Sequence, residues 1–99
     1  MTVTYENNTL TVYLTGEIDH HSARAMRERA DTELVKRRPG TLILDFSGVS
    51  FMDSSGVGLV MGRYKTAAAL GCGVQVRGLR PRDRRIMELS GLKKLVSFQ

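Results

Sequence analysis

Val3 and Tyr5, then Leu10, Val12 and Leu14, alternate with polar neighbours at a period of two, the pattern of strands with one buried face. Asn7-Asn8 between the two runs reads as a hairpin turn. From His21 to about Arg37 the apolar residues Ala23, Met26, Ala30 and Leu34 recur three or four positions apart, which predicts an amphipathic helix with a narrow buried stripe. Asp19 or Ser22 can cap its start, and Pro39-Gly40 ends it. Thr41-Leu42-Ile43-Leu44-Asp45-Phe46 has too little alternation for a half-exposed strand and predicts a central one, with a loop from Ser47 to about Asp53.

A second helix is expected over Ser54 to Leu70, where Val57, Val60, Met61, Tyr64, Ala67 and Ala68 hold helical spacing and Gly71 suits a left-handed cap. Gly58 and Gly62 inside it each cost about 1 kcal/mol against alanine, so close packing on a strand, or open space for a partner, should compensate. Packing is the expected reason. Cys72, Val74 and Val76 alternate as a strand, Pro81 can open a third helix with Ile86, Met87 and Leu89 on its apolar side, and Leu95, Val96 and Phe98 form a last strand. The order β-β-α-β-α-β-α-β predicts one α/β domain over residues 1–99, with parallel crossovers and a mixed, mostly parallel sheet of about five strands beside three main helices.

Composition narrows the class without changing the fold. With 99 residues, 41% hydrophobic and 25% charged, the chain can bury roughly two-thirds of its unfolded surface and needs no disulfide or metal to hold together. A lone Cys72, no secretory signal and no apolar run of spanning length point to the cytoplasm, with no membrane. Charge is uneven: residues 1–53 carry 6 Lys/Arg and 8 Asp/Glu, residues 54–99 carry 9 and 2. A basic second half suits an acidic partner surface or nucleic acid, or is a solvated face. The basic residues Arg77, Arg80, Arg82, Arg84 and Arg85 lack interleaved aromatics, so direct nucleic-acid binding is not expected.

Candidate chemistry is sparse. One Cys and the pair His20-His21 cannot supply a metal site by themselves, no phosphate-binding glycine loop is present, and Asp53, Ser54 and a histidine make a triad only on paper. No catalytic residue, metal or cofactor is expected, and the chain reads as a regulator, not an enzyme. The segment with positive physical content is Asp53-Ser54-Ser55-Gly56, which sets two hydroxyls at a helix start whose N–H groups lack intrahelical partners. Such a hydroxyl can cap the helix, and a phosphate there meets a favourable dipole.

The same segment carries a resemblance. Leu44-Asp45-Phe46, then Val49 through Gly58, then Gly62-Arg63-Tyr64-Lys65, resemble the signature of the anti-sigma factor antagonists of the STAS domain family. Leu14 through His21 and Leu89 through Leu95 are similar to two further blocks of that family, and together they look like the sporulation antagonists of an anti-sigma F factor. The resemblance implies a STAS-type domain working by partner switching. Unphosphorylated, it would bind an anti-sigma factor that is also a serine kinase and so free a sigma factor; phosphorylation at Ser54, in preference to Ser55, would end that binding, and a serine phosphatase would reset it. It further implies that Asp19, Ser22, Asp53, Ser55, Gly56 and Gly58 contribute to the partner-facing surface, the two glycines as room for close approach, and that the protein is a monomer when free. Family members usually continue into a further C-terminal helix, whereas this sequence ends at Gln99. The alternative within the family is a STAS domain of another assembly, such as a stress-signalling complex or a transporter accessory subunit.

Overall fold

Asn7 and Asn8 both adopt left-handed backbone, with φ of 51° and 60°, and this tight turn joins β1 (Thr2–Glu6) to β2 (Thr9–Ile18) as an antiparallel hairpin. The computed structural model describes residues 1–99. After the hairpin come α1 (His20–Arg37), β3 (Thr41–Met52), α2 (Ser54–Ala69), β4 (Gly73–Arg77), α3 (Pro81–Leu89), a 3-10 turn at Leu92–Lys94 and β5 (Ser97–Phe98). The sheet order is β1-β2-β3-β4-β5, antiparallel at the first pair and parallel thereafter, as the element order predicts.

Each crossover from β2 to β5 advances one strand in the same direction, so right-handed connections bring all three helices to one face of the sheet. There α2 packs between α1 and α3. Leu10, Val12 and Leu14 of β2, Leu42 and Leu44 of β3, and Val74 and Val76 of β4 meet Met26, Ala30 and Leu34 of α1 and Leu59, Val60 and Ala67 of α2 in one core. Burial of one such Leu or Val side chain stabilises the fold by about 1.5–3 kcal/mol, and this is the main reason the marginal helices form. The opposite face has no helical layer. Its registered rows include Thr4, Thr11, Ile43 and Gln75, then Tyr13, Asp45 and Arg77.

The structure corrects three local expectations. Ser47–Met52 is not a loop: β3 continues through it, paired with the long β2 at Thr15↔Gly48, Gly16↔Val49, Glu17↔Phe51 and Ile18↔Met52. Two irregularities in register and the left-handed Gly16, φ 77°, let β2 follow the bend. Close packing does not explain Gly58 or Gly62, since a Cβ at either would meet nothing within 4 Å. The last strand is Ser97–Phe98 alone, because Leu95 and Val96 belong to the chain leaving the 3-10 turn.

Extension of β3 is the feature that builds the functional end of the molecule. It brings Met52 level with Ile18, and the Asp53 N–H donates to the Ile18 carbonyl at 3.2 Å. The starts of α1 and α2 therefore lie side by side beyond the carboxyl ends of neighbouring parallel strands, the edge where α/β sheets carry their sites.

Candidate functional site at the paired helix starts

Two aspartates hold this edge together. Asp19 caps α1 in a reciprocal box: its carboxylate accepts from the Ser22 N–H at 2.8 Å, and the Asp19 N–H donates to Ser22 Oγ at 3.0 Å. The Ser22 hydroxyl also donates to the Glu17 carbonyl at 2.7 Å, so this serine is committed within the chain. The Ser22 backbone N–H, followed by its hydroxyl and the neighbouring His21, outweighs desolvation and holds the Asp19 carboxyl below its ordinary pKa.

At the start of α2 the cap is Asp53, whose carboxylate accepts from the Ser55 N–H at 2.7 Å. Neither serine caps. Ser54 is the first helical residue, exposed, and its hydroxyl makes no hydrogen bond, while Ser55 is half-buried. Two readings from sequence change accordingly. The helix is stabilised without the Ser54 hydroxyl, and a phosphate on that hydroxyl would find the Ser55 N–H already bound to an aspartate instead of free to receive it.

The glycines separate. Gly56 is buried, and a Cβ there would collide with the Met52 side chain, which is itself buried; it makes room for the strand below and is not part of a partner-facing surface. Gly58 is exposed, with nothing within 4 Å of where its Cβ would be. Asp19, Asp53 and Ser55 are half-buried around the exposed Ser54 at the paired helix starts.

Residues that sequence patterning did not single out complete the surface. Phe51, 40% exposed, precedes Asp53 by two residues and leaves an aromatic side chain partly in solvent near the end of β3. Between α1 and α2 runs a cleft of about 290 Å3 lined by His20, Arg24, Arg27, Ser55, Gly58 and Arg63, among others. Ser54 is not part of its lining, and no histidine hydrogen-bonds to it. The exposed Ser54 hydroxyl thus has no hydrogen-bonded base of the kind that activates a serine nucleophile.

The model of the STAS domain matches residues 1–99. The chain belongs to the STAS domain family. Among curated STAS relatives it is 34% identical to an anti-sigma F factor antagonist of Paenibacillus polymyxa, over 93% of this chain and 79% of that protein. It is 30% identical to an anti-sigma-B factor antagonist of Bacillus subtilis strain 168, over 97% of this chain and 86% of that one. Among solved STAS structures it superposes on the anti-sigma factor antagonist SpoIIAA in its unphosphorylated form with a TM-score of 0.78 at 28% identity, covering 99% of this chain and 86% of the other. The phosphorylated form of the Bacillus cell fate determinant SpoIIAA gives a TM-score of 0.77 at 31% identity, with 99% and 89% covered.

Proposed function

We propose that the protein is an anti-sigma factor antagonist that, unphosphorylated, binds an anti-sigma factor with serine kinase activity and so frees a sigma factor. Phosphorylation at Ser54 ends that binding, and a serine phosphatase restores it. The observation that carries the reading is the exposed Ser54 hydroxyl, free of capping duty at a helix start held by Asp53, in a chain whose relatives are named antagonists of anti-sigma factors. That one relative's fold is described in both an unphosphorylated and a phosphorylated form supports a covalent switch acting through the surface.

A partner that docks over Ser54 must also cover Asp53 and the neighbouring Asp19. A phosphate of about −1.5 to −2 charge added there is solvated in the free protein, but a docked partner would strip its water beside carboxylates of the same sign. A penalty of about 4 kcal/mol lowers affinity roughly a thousandfold. The role is a binding role, set in the cytoplasm, and no helix of the chain is long and apolar enough to cross a membrane.

Incubation with the cognate anti-sigma factor and ATP, followed by mass spectrometry of the tryptic peptides, tests the reading. The expected product carries one phosphate, on Ser54. Ser54→Ala should bind the anti-sigma factor and never be released, and Ser54→Asp should bind weakly. Full binding by Ser54→Asp, or phosphate on Ser55 with Ser54 unmodified, would refute the proposal.

A further inference from the structure

Arg24, Arg27 and Arg63 converge on the cleft between α1 and α2, and the serine switch uses none of them. Arg63 is the unusual member. Its side chain is only 5% exposed, its Nη1 donates to the Leu59 carbonyl at 3.2 Å, and its Nε lies 2.7 Å from Asp31 Oδ1 without the N–H being aimed at that oxygen. Its Nη2 has no acceptor within the chain. Burial lowers the Arg63 pKa, and although Asp31 pulls it back up, the positive charge of Arg27 depresses it further.

Arg27 lines the same cleft as Arg63, and it has no carboxylate of its own. Arg24 is paired only with Glu28, on the exposed side of the helix, at 3.3 Å. Arg27 and Arg63 both line the cleft and the one carboxylate paired with either is Asp31, on Arg63, so the cleft holds an excess of positive charge that an anion would relieve. On the α2 side the cleft is unobstructed, because nothing stands within 4 Å of where a Gly58 Cβ would be, and Ser55 adds a hydroxyl. Guanidinium forks match the planar, two-oxygen geometry of a carboxylate.

The cleft also opens onto the edge that carries Ser54, since His20 and Ser55, from the first turns of α1 and α2, line it. A protein that docks over Ser54 would cover these arginines, and doing so without a counter-charge would oppose binding. We propose that the α1–α2 cleft is a carboxylate-binding subsite of the partner surface, in which Arg27 and Arg63 clamp a Glu or Asp side chain of the docked anti-sigma factor. The identity of the partner rests on the antagonist reading; the anion chemistry does not.

The test therefore has one arm that needs no partner. The free protein is titrated with glutarate, and separately with inorganic phosphate, at low ionic strength while backbone amide NMR shifts are followed. Saturable shifts at Arg27, Ser55 and Gly58 with glutarate, lost in Arg27→Gln, are expected. No saturable shift with glutarate overturns the subsite, and a response to phosphate alone overturns the carboxylate assignment in favour of a phosphoryl ligand. In the second arm, Arg27→Glu is expected to weaken anti-sigma factor binding at least tenfold and to flatten its salt dependence. Unchanged affinity in Arg27→Glu overturns the partner role. If the wild-type protein binds glutarate but no anti-sigma factor, the antagonist reading and this occupant both fall, while the anion site stands.

Discussion

Replacing Asp53 separates what the helix start contributes to folding from what it contributes to switching. Asp53→Ala removes the carboxylate that accepts from the Ser55 N–H at 2.7 Å, while the backbone bond from the Gly56 N–H to the Asp53 carbonyl, 3.0 Å, survives. The lost cap costs about 1 kcal/mol, and loss of a negative charge at the positive end of α2 adds about 0.3–1 kcal/mol, roughly 1.5–2 kcal/mol together. For a domain of this size each kcal/mol moves the melting temperature by about 4–8 °C, so a fall of roughly 10 °C is expected. Asp53→Asn keeps the acceptor and loses only the charge, so about 0.5 kcal/mol and a fall of roughly 3 °C should follow. Thermal unfolding of the three proteins at pH 7, followed by far-UV circular dichroism, measures both. An Asp53→Ala protein melting within about 2 °C of wild type would refute the assignment of Asp53 as the cap and return that duty to Ser54.

Glycine substitutions in α2 should act in opposite directions. Gly56→Ala pushes a Cβ into the buried Met52 side chain, an overpacking that costs about 1–3 kcal/mol, whereas Gly62→Ala meets open space and should stabilise by up to about 1 kcal/mol; urea midpoints decide both. A pH effect is expected on the helix-free face of the sheet. Burial raises the Asp45 pKa, but hydrogen bonds from Ser47 and Arg77, the latter at 2.7 Å, outweigh it and leave a net depression. A carboxylate depressed in the folded state contributes stability that is present above its unfolded pKa of about 3.9 and is lost as pH falls through the folded value. The stability gap between wild type and Asp45→Asn should therefore be largest near neutrality and shrink below about pH 4; a gap independent of pH would contradict the role of its charge.

Much of the frame was legible because local chemistry and tertiary demand agree. Asn7-Asn8 fits a turn that needs two left-handed residues, and the stripe of Met26, Ala30 and Leu34 is the stripe that is buried. The second half of β3 was not legible. Ser47, Gly48 and Ser50 have loop character, and only pairing with an irregular β2 makes them strand. Arg63 was missed for a related reason: a charged residue on a helix reads as exposed, and its burial depends on Asp31 of another helix. The Asp53-Ser54-Ser55-Gly56 run located the helix start but not its division of labour, because three adjacent residues can each cap and sequence does not record which side chain turns back onto the backbone. Likewise Gly56 and Gly58 are alike in sequence and opposite in the fold, one beneath a methionine and the other facing solvent.

The capping aspartate changes the account of how a phosphate could act. At a bare helix start the unpaired N–H groups would stabilise it, but here the Ser55 N–H is engaged by Asp53, and the phosphate would also stand beside that carboxylate. In water, two unit charges about 6 Å apart interact by only about 0.7 kcal/mol, so the modified protein should keep its fold. Covered by a partner, at an effective dielectric near 20, the same pair costs about 2.8 kcal/mol. The difference of about 2 kcal/mol for each unit of phosphate charge is roughly a thirtyfold loss of affinity, before any desolvation is counted. Asp53 would then serve both states, as the cap that builds the surface and as the charge that makes a phosphate intolerable once that surface is covered. It follows that Asp53→Asn, still capped, should retain more partner affinity after Ser54 phosphorylation than the wild-type protein does. Equal losses of affinity in the two phosphorylated proteins, compared by calorimetry, would assign the switch to steric exclusion alone.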